Sequence, residues 1–302
     1  MQFWSRRTFI IGATSAPLLT ACQSTPELSV KDAEYQLSEM EALVGGRIGV
    51  SAMNVRTGRS VSRRGDERFA MCSSFKWLLG YFMAVRANAG QDDLDRIIPY
   101  TKKDLVIWSP VTEPAIGGPG LTIRELCKAT IQTSDNTAAN LLLKELGGPE
   151  GFTRLVRATG DDVTRLDRWE PELNENKPND PRDTTTPNAM TNLVAKLLFG
   201  DGSGMNYIVE VKEWMMGTTT GKNRLRAGLG SEDKRLVIGN KTGTSENYQS
   251  NDVAFAFTFP TNYIGMKGPV VVTSYLNVHE PMSPETDALH AKIGEIARKA
   301  LL

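Results

Sequence analysis

The chain has 302 residues, with 35 lysines and arginines against 35 aspartates and glutamates and a formal net charge of zero. That length supports one sizeable core or two intimately packed lobes. The even balance, without any block of like charge, excludes a nucleic-acid groove or a polybasic membrane patch as the organising feature.

Residues 1–26 read as an export signal and tether, to be set apart from the fold. Ser5-Arg6-Arg7-Thr8-Phe9-Ile10 has the twin-arginine pattern, and the mildly apolar run from Ile10 to Thr20 is too short to span a bilayer. A general secretory signal that carries two arginines is the competing reading. Leu19-Thr20-Ala21-Cys22 is similar to the lipobox of bacterial lipoproteins, which would make Cys22 an acylated first mature residue. A small-residue cleavage site with an incidental cysteine reads equally from the same letters. The protein is thus expected to be exported, periplasmic or lipid-anchored at the cell envelope. Cys72 and Cys127 remain, and both are expected to be free, mostly buried thiols.

Along the mature chain, Glu27 to Leu43 has the pattern of an amphipathic helix. Arg47 to Asn54 reads as a strand, Asn54 to Gly58 as a turn and Arg59 to Arg63 as the returning strand. From Ser73 to Ala89 apolar residues cover nearly every face, which predicts a buried central helix. Thr122-Ile123-Arg124-Glu125 is a capping box opening another helix. Thr137 to Leu146 continues helically and stops at Gly147-Gly148. Residues 165–187 are polar, carry four prolines and show no period; a loop that long within a compact domain is usually functional. Helices follow around Asn188–Phe199 and Asn206–Met216. Strands follow over Arg235–Thr242, Asp252–Phe259 and Val270–Leu276, then a terminal helix from about Ser283 to Ala300. Two early and three late strands predict a five-stranded antiparallel sheet closed by both chain ends, an α/β two-lobed fold with an all-helical insertion. The expected lobes are 27–72 with 223–302, and 73–222, with the active site in the seam.

Three motifs carry chemistry. Ser73 and Lys76 in Ser73-Ser74-Phe75-Lys76 share one helix face. A serine hydroxyl needs a base to become a nucleophile, and a desolvated lysine can serve. Lys76 lies among Phe75, Trp77 and Leu78, a costly place for an unpaired ammonium. Ser134-Asp135-Asn136 offers a hydroxyl to relay protons and an amide to hold a substrate amide, although an interhelical turn with an N-cap is an equal reading. Lys241-Thr242-Gly243 ends an apolar strand, where a cation and a hydroxyl can hold a carboxylate and the glycine admits close backbone approach. Ser231-Glu232-Asp233-Lys234 and Ser245-Glu246-Asn247 also fit the first two patterns, so order and setting carry the weight, not any single match. His279 and His290, the only histidines, lie on or near the terminal helix without ligand spacing. Both read as surface or partly buried residues, and zinc chemistry is not expected.

With Arg168-Trp169-Glu170-Pro171-Glu172-Leu173-Asn174 added, the set resembles the class A serine β-lactamases over essentially the whole mature chain. The resemblance implies that Ser73 is acylated, with the backbone N–H groups of Ser73 and Thr244 as oxyanion donors. It makes Lys76 and Ser134 proton carriers, and Glu170, assisted by Asn174, the activator of the water that cleaves the acyl-enzyme. Whether Lys76 or Glu170 is the base for acylation stays open. It puts Trp108 and Asn136 against the substrate and Lys241, Thr242 and Thr244 on its carboxylate. Asp183 should pair with Arg168, and the Glu170-Pro171 peptide is a cis candidate. No cofactor or metal is implied. The partners implied are β-lactams alone, with no nucleic acid, a membrane only through Cys22, and a monomeric state.

Two departures matter. The carboxylate-binding arginine that several members carry on the strand after Lys-Thr-Gly is Ser250 here, while Arg224 fits the placement used by others. Members active on carbapenems often tie the residue before the nucleophile to a cysteine two beyond Lys-Thr-Gly. Here Cys72 faces Ser245, so that bridge cannot form, and efficient carbapenem hydrolysis is not expected. Thr244 with Ser245 is compatible with a site admitting cephalosporins as well as penicillins. A D-Ala-D-Ala peptidase or a β-lactam sensor that stays acylated would share the serine, lysine and Lys-Thr-Gly set but lack a deacylating glutamate such as Glu170.

Overall fold

The computed structural model describes residues 27–258 and 268–302; the export signal, Cys22 and Phe259 lie outside the described residues. Helix α1 (Val30–Val44) begins at Ser29, whose side chain accepts from Asp32 N. It leads into β1 (Arg47–Asn54) and β2 (Ser60–Arg63). The chain returns to the sheet only at β3 (Leu236–Thr244), β4 (Gln249–Thr258) and β5 (Val270–Asn277), and closes with α9 (Pro284–Leu301). The five strands lie in the order β2-β1-β5-β4-β3, and every pairing is antiparallel. The first and last segments of the chain therefore make one sheet, as expected.

Alternation along each strand divides the sheet between two cores. Val253, Phe255, Val271 and Tyr275 face the helical lobe. Ala254, Ala256, Val272 and Leu276 face α1, α9 and the short α8 (Leu225–Leu229). Burial on both faces explains why these strands read as almost continuous apolar runs.

The helical lobe comprises α2 (Lys76–Asn88), α3 (Ile123–Gln132), α4 (Asn136–Glu145), α5 (Gly148–Ala158), α6 (Pro187–Phe199) and α7 (Asn206–Met216). At its centre is α2, with Trp77, Leu78, Leu79 and Met83 fully buried. The capping box at Thr122 and Glu125 forms in both directions. Helix α5 is absent from the sequence reading, in which Gly147-Gly148 is a stop; Pro149 follows them directly. The same three residues end one helix and begin the next: Gly147 takes a φ of 84°, and Pro149 sits in the first turn, where its missing N–H costs nothing. Among the described residues no helix is long and apolar enough to cross a membrane.

Candidate active site

The nucleophile sits one step earlier than a simple helix start. Cys72–Phe75 forms a 3-10 turn, and α2 follows at Lys76. Cys72 holds a φ of 46°, in the left-handed region that side chains seldom adopt. The turn is clamped by Ser74, whose N–H and hydroxyl both donate to Met71 O, and whose Oγ lies 3.1 Å from Tyr275 Oη. This leaves Ser73 partly exposed while its neighbours are buried. Strand β3 presses against the turn: a Cβ on Gly243 would lie 2.6 Å from Met71 O and 3.1 Å from Ser73 N. Only glycine lets the Lys-Thr-Gly strand reach the serine.

Lys76 is fully buried, with Nζ 2.8 Å from Glu170 Oε1, 3.0 Å from Ser134 O and bonded also to Asn136 Oδ1. Ser73 Oγ donates to the same Glu170 Oε1 at 3.3 Å. Asn174 Nδ2 donates to the other carboxylate oxygen at 2.7 Å, and its own Oδ1 is buried without a hydrogen-bond partner among the described residues. The carboxylate thus has a lysine, a serine and an amide arranged around it.

The loop 165–187 carries Glu170 here by two devices. At its base Arg168 Nε meets Asp183 Oδ2 at 2.6 Å, while Asp183 Oδ1 accepts from the N–H groups of Asp167 and Arg168. At its centre the Glu170-Pro171 peptide is cis, as expected from the resemblance. Asn140, one turn into α4, accepts from Glu170 N at 3.0 Å and donates to Glu170 O at 2.8 Å. The sequence reading passed over Asn140. Its spacing of four from Asn136, on the same face of α4, was the available signal.

Ser134 and Trp108 both take a positive φ, 63° and 64°. Asp135, buried between them, accepts from the N–H groups of Val111 and Thr112 at 2.9 Å and caps α4 through Ala138 N at 2.8 Å. The expected N-cap is present, and Ser134 and Asn136 line the cleft. Asn136 Nδ2 donates to Ile107 O and its Oδ1 accepts from Lys76, which leaves the second N–H of the amide free to donate toward the cleft.

On the sheet side Lys241 is fully buried and donates to Ser134 Oγ at 3.0 Å and Thr242 O at 2.7 Å. Burial, reinforced by the charge of Lys76, pushes its ammonium well below the usual lysine range. Arg224 donates from Nη1 to Thr244 Oγ1 at 3.1 Å and from Nε to Asp287 at 2.7 Å. It therefore stands beside the end of β3. Thr220 Oγ1, 2.7 Å from Thr242 Oγ1, joins the same wall.

A cavity of about 650 Å³ brings these groups together. Ser73, Trp108, Ser134, Asn136, Asn174, Arg224 and Thr242 through Ser245 line it, while Lys76, Glu170 and Lys241 are buried directly behind.

The family model for the β-lactamase enzyme family matches residues 32–301. The carbapenem-hydrolysing β-lactamase KPC of Klebsiella oxytoca is 39% identical over 297 residues, 98% of this chain and 97% of its own. The β-lactamase AST-1 of Nocardia asteroides is 39% identical over 98% of this chain and 96% of its own. Among solved structures, an ancestral class A β-lactamase is 47% identical with a TM-score of 0.81, over 87% of this chain and 98% of that one. The class A enzyme PenP from Rhodopseudomonas palustris is 40% identical at the same TM-score, over 88% of this chain and 98% of that one. The chain belongs to the class A β-lactamase family. It is an enzyme of β-lactam hydrolysis.

In this β-lactamase Cys72 and Cys127 are free and buried, as expected. Burial pushes the Cys72 thiol up to about 12, so it is an inert neighbour of the nucleophile. Ser245 faces the cleft, but its hydroxyl is bonded to Gln249 Oε1 and accepts Asn247 N, so it shapes the β3–β4 turn. One expectation fails. His290 is fully buried on α9, with Ser250 Oγ and Ser274 Oγ at its two ring nitrogens. Serine at 250 leaves space beneath the sheet that the imidazole fills, and burial with nearby Arg224 pushes its pKa well down.

Proposed function

We propose that this enzyme opens the β-lactam ring of penicillins and cephalosporins through an ester on Ser73. The observation that carries the reading is Glu170 Oε1, shared between Ser73 Oγ at 3.3 Å and Lys76 Nζ at 2.8 Å. A proton leaving Ser73 enters this buried pair as Oγ attacks the lactam carbonyl carbon. The carbonyl oxygen takes up negative charge facing the N–H groups of Ser73 and Thr244, where one donor is worth a factor of about 10² to 10³ in rate. The C–N bond then breaks, the ring nitrogen takes a proton from Ser134, and the proton that left Ser73 passes by way of Lys76, which is bonded to Ser134 O, to restore the Ser134 hydroxyl and free Glu170. A water held by Glu170 and by the unpartnered Asn174 Oδ1 attacks the ester, and Ser73 is regenerated.

The ring carboxylate is assigned to Lys241, Thr242, Thr244 and Arg224, and the acyl amide to Asn136 with Trp108 as a wall. A carboxylate bonded directly to the nucleophile favours turnover over the peptidase and sensor readings, in which the ester persists. The relative KPC is named for carbapenem hydrolysis; Ser245 removes the bridge to Cys72, and carbapenems are assigned here as poor substrates. The arginine pair and Cys22 support export by the twin-arginine route with a lipid anchor, for a monomeric enzyme.

Purified enzyme with a chromogenic cephalosporin, followed by intact mass, tests the mechanism. Ser73→Ala is expected to lose a factor on the order of 10⁵ to 10⁶ in kcat. Glu170→Ala is expected to accumulate a covalent adduct. Turnover surviving in Ser73→Ala would refute the assignment.

A further inference from the structure

The two oxyanion donors assigned above come from different segments, so contacts elsewhere must fix the distance between them. Ser73 N–H belongs to the turn before α2, and Thr244 N–H to the end of β3. Three cross-strand neighbours stand in a row on the sheet face that meets this turn: Gly243 on β3 pairs with Asn251 on β4, and Asn251 with Tyr275 on β5. Gly243 leaves the space that lets the turn approach, and Tyr275 Oη lies at Ser74 Oγ. Between them the buried Asn251 donates from Nδ2 to Ala70 O at 2.9 Å and to Met71 O at 3.0 Å. Those two carbonyls immediately precede Cys72, the residue of the turn held at a positive φ. On its other side the turn is tied to the loop, since Met71 N donates to Asp183 O at 2.9 Å. The backbone of Asn251 serves the opposite wall of the cleft. Its carbonyl accepts from Arg224 Nη1 at 3.0 Å, and the same nitrogen donates to Thr244 Oγ1.

We propose that Asn251 is a positioning residue of the oxyanion hole: its amide holds the nucleophile turn at the distance from β3 where Ser73 N–H and Thr244 N–H meet one oxygen. The proposal rests on the acyl-enzyme reading above. Asn251 touches neither substrate nor reacting atoms and acts through the backbone of residues 70–73. A buried amide that served only the core would cost stability when removed and leave the two donors in place. One that sets the hole costs rate as well. An oxyanion forms both when the ester is made and when it is cleaved, so both steps slow together. Donors of this kind act only at close range, and a misplacement of about 1 Å can cost a factor of about 10².

Asn251→Leu removes both N–H donors at similar volume. Its acylation and deacylation rates with benzylpenicillin, separated by stopped flow, are each expected to fall about 10- to 100-fold. Binding should survive: added to Ser73→Ala, the same change is expected to leave the benzylpenicillin dissociation constant within about threefold. The direct readout is the infrared carbonyl band of the ester trapped in Glu170→Ala, with the carbonyl isotope-labelled. Donors in the hole polarise that bond and lower the band. Adding Asn251→Leu is expected to move it up, toward the band of an ester without donors. Lowered rates with an unmoved band, or a folded variant with wild-type rates, overturn the proposal. Asn251→Ser, which keeps one donor on a smaller side chain, is expected to fall between wild type and the leucine variant in rate and band. Should neither variant fold, a crystal of acylated Glu170→Ala decides. The ester oxygen between Ser73 N and Thr244 N, with Asn251 Nδ2 on Ala70 O and Met71 O, supports the proposal, and an Asn251 amide turned off those carbonyls overturns it. A Glu170→Ala enzyme that accumulates no adduct would instead refute the acyl-enzyme reading beneath.

Discussion

Among the described residues two lysines are buried completely, one from each lobe, and they are treated differently. Lys76, on the helical side, meets a carboxylate, a backbone carbonyl and an amide oxygen. Lys241, on the sheet side, meets only the neutral oxygens of Ser134 and Thr242, with no ion pair among the described residues. The helical half of the site is therefore neutralised within the protein and is ready to exchange protons. The sheet half leaves Lys241 without a counter-charge, and burial pushes its ammonium well below the usual lysine range. Burying a charge is tolerable when it is paired. The enzyme follows that rule at Lys76 and departs from it at Lys241.

The strongest way to break this contrast is to delete each ammonium at constant size. Lys76→Met leaves Glu170 buried without its cation. A loss of about 3–5 kcal/mol in unfolding free energy is expected, with kcat reduced together with kcat/KM. Lys241→Met removes a cation that has no partner, so denaturant melts should show stability unchanged or raised. Its KM for penicillins should rise by about 10- to 100-fold, the value of a charged hydrogen bond of about 1.5–3 kcal/mol. Equal destabilisation in the two variants would sink the distinction.

Next in size is Asn140→Ala, which leaves both backbone groups of Glu170 unpaired. An expected cost of about 1–3 kcal/mol should accompany slower deacylation, seen as a longer-lived adduct by intact mass. Acylation in the first turnover should change less.

An effect of similar size, seen only as pH changes, concerns the polar layer beneath β4. Burial raises Asp252 to about 6, while His290 is pushed well below its usual value. As pH falls from about 6 toward 4, folded Asp252 binds a proton that the unfolded chain does not, so this group adds stability. His290 does the opposite: the unfolded chain takes the proton first, and stability present above the unfolded value of about 6.5 is lost. The two oppose each other in wild type. In Asp252→Asn, stability measured from pH 7 to 4 should fall more steeply than in wild type, by a difference on the order of 2–3 kcal/mol.

Much of this was legible from particular residues. Short runs bounded by turn residues predicted all five strands, and Thr122 with Glu125 marked a helix start that forms a capping box with both hydrogen bonds. Ser73, Lys76, Ser134, Glu170 and Lys241 were named before their contacts were known, because their motifs stand in order along the chain. What was not legible is informative in the same terms. Gly147-Gly148-Pro149 hid α5 because a stop signal and a start signal use the same residue types. Asn140 was missed because an amide on a helix face reads the same whether it meets water or a backbone.

The local chemistry of this protein, meaning which side chains can attack, carry protons or bind anions, was written in the order of its amino acids. Strand geometry sends alternate residues to opposite faces, but both faces are apolar here, so only the fold decided which core each meets. Tertiary packing decided the rest: that Glu170 stands between Ser73 and Lys76, that Lys241 is left without a counter-charge, and that His290 is sealed behind the sheet. Propensity and pattern act over a few residues, whereas charge pairing and desolvation depend on what the fold brings from far along the chain.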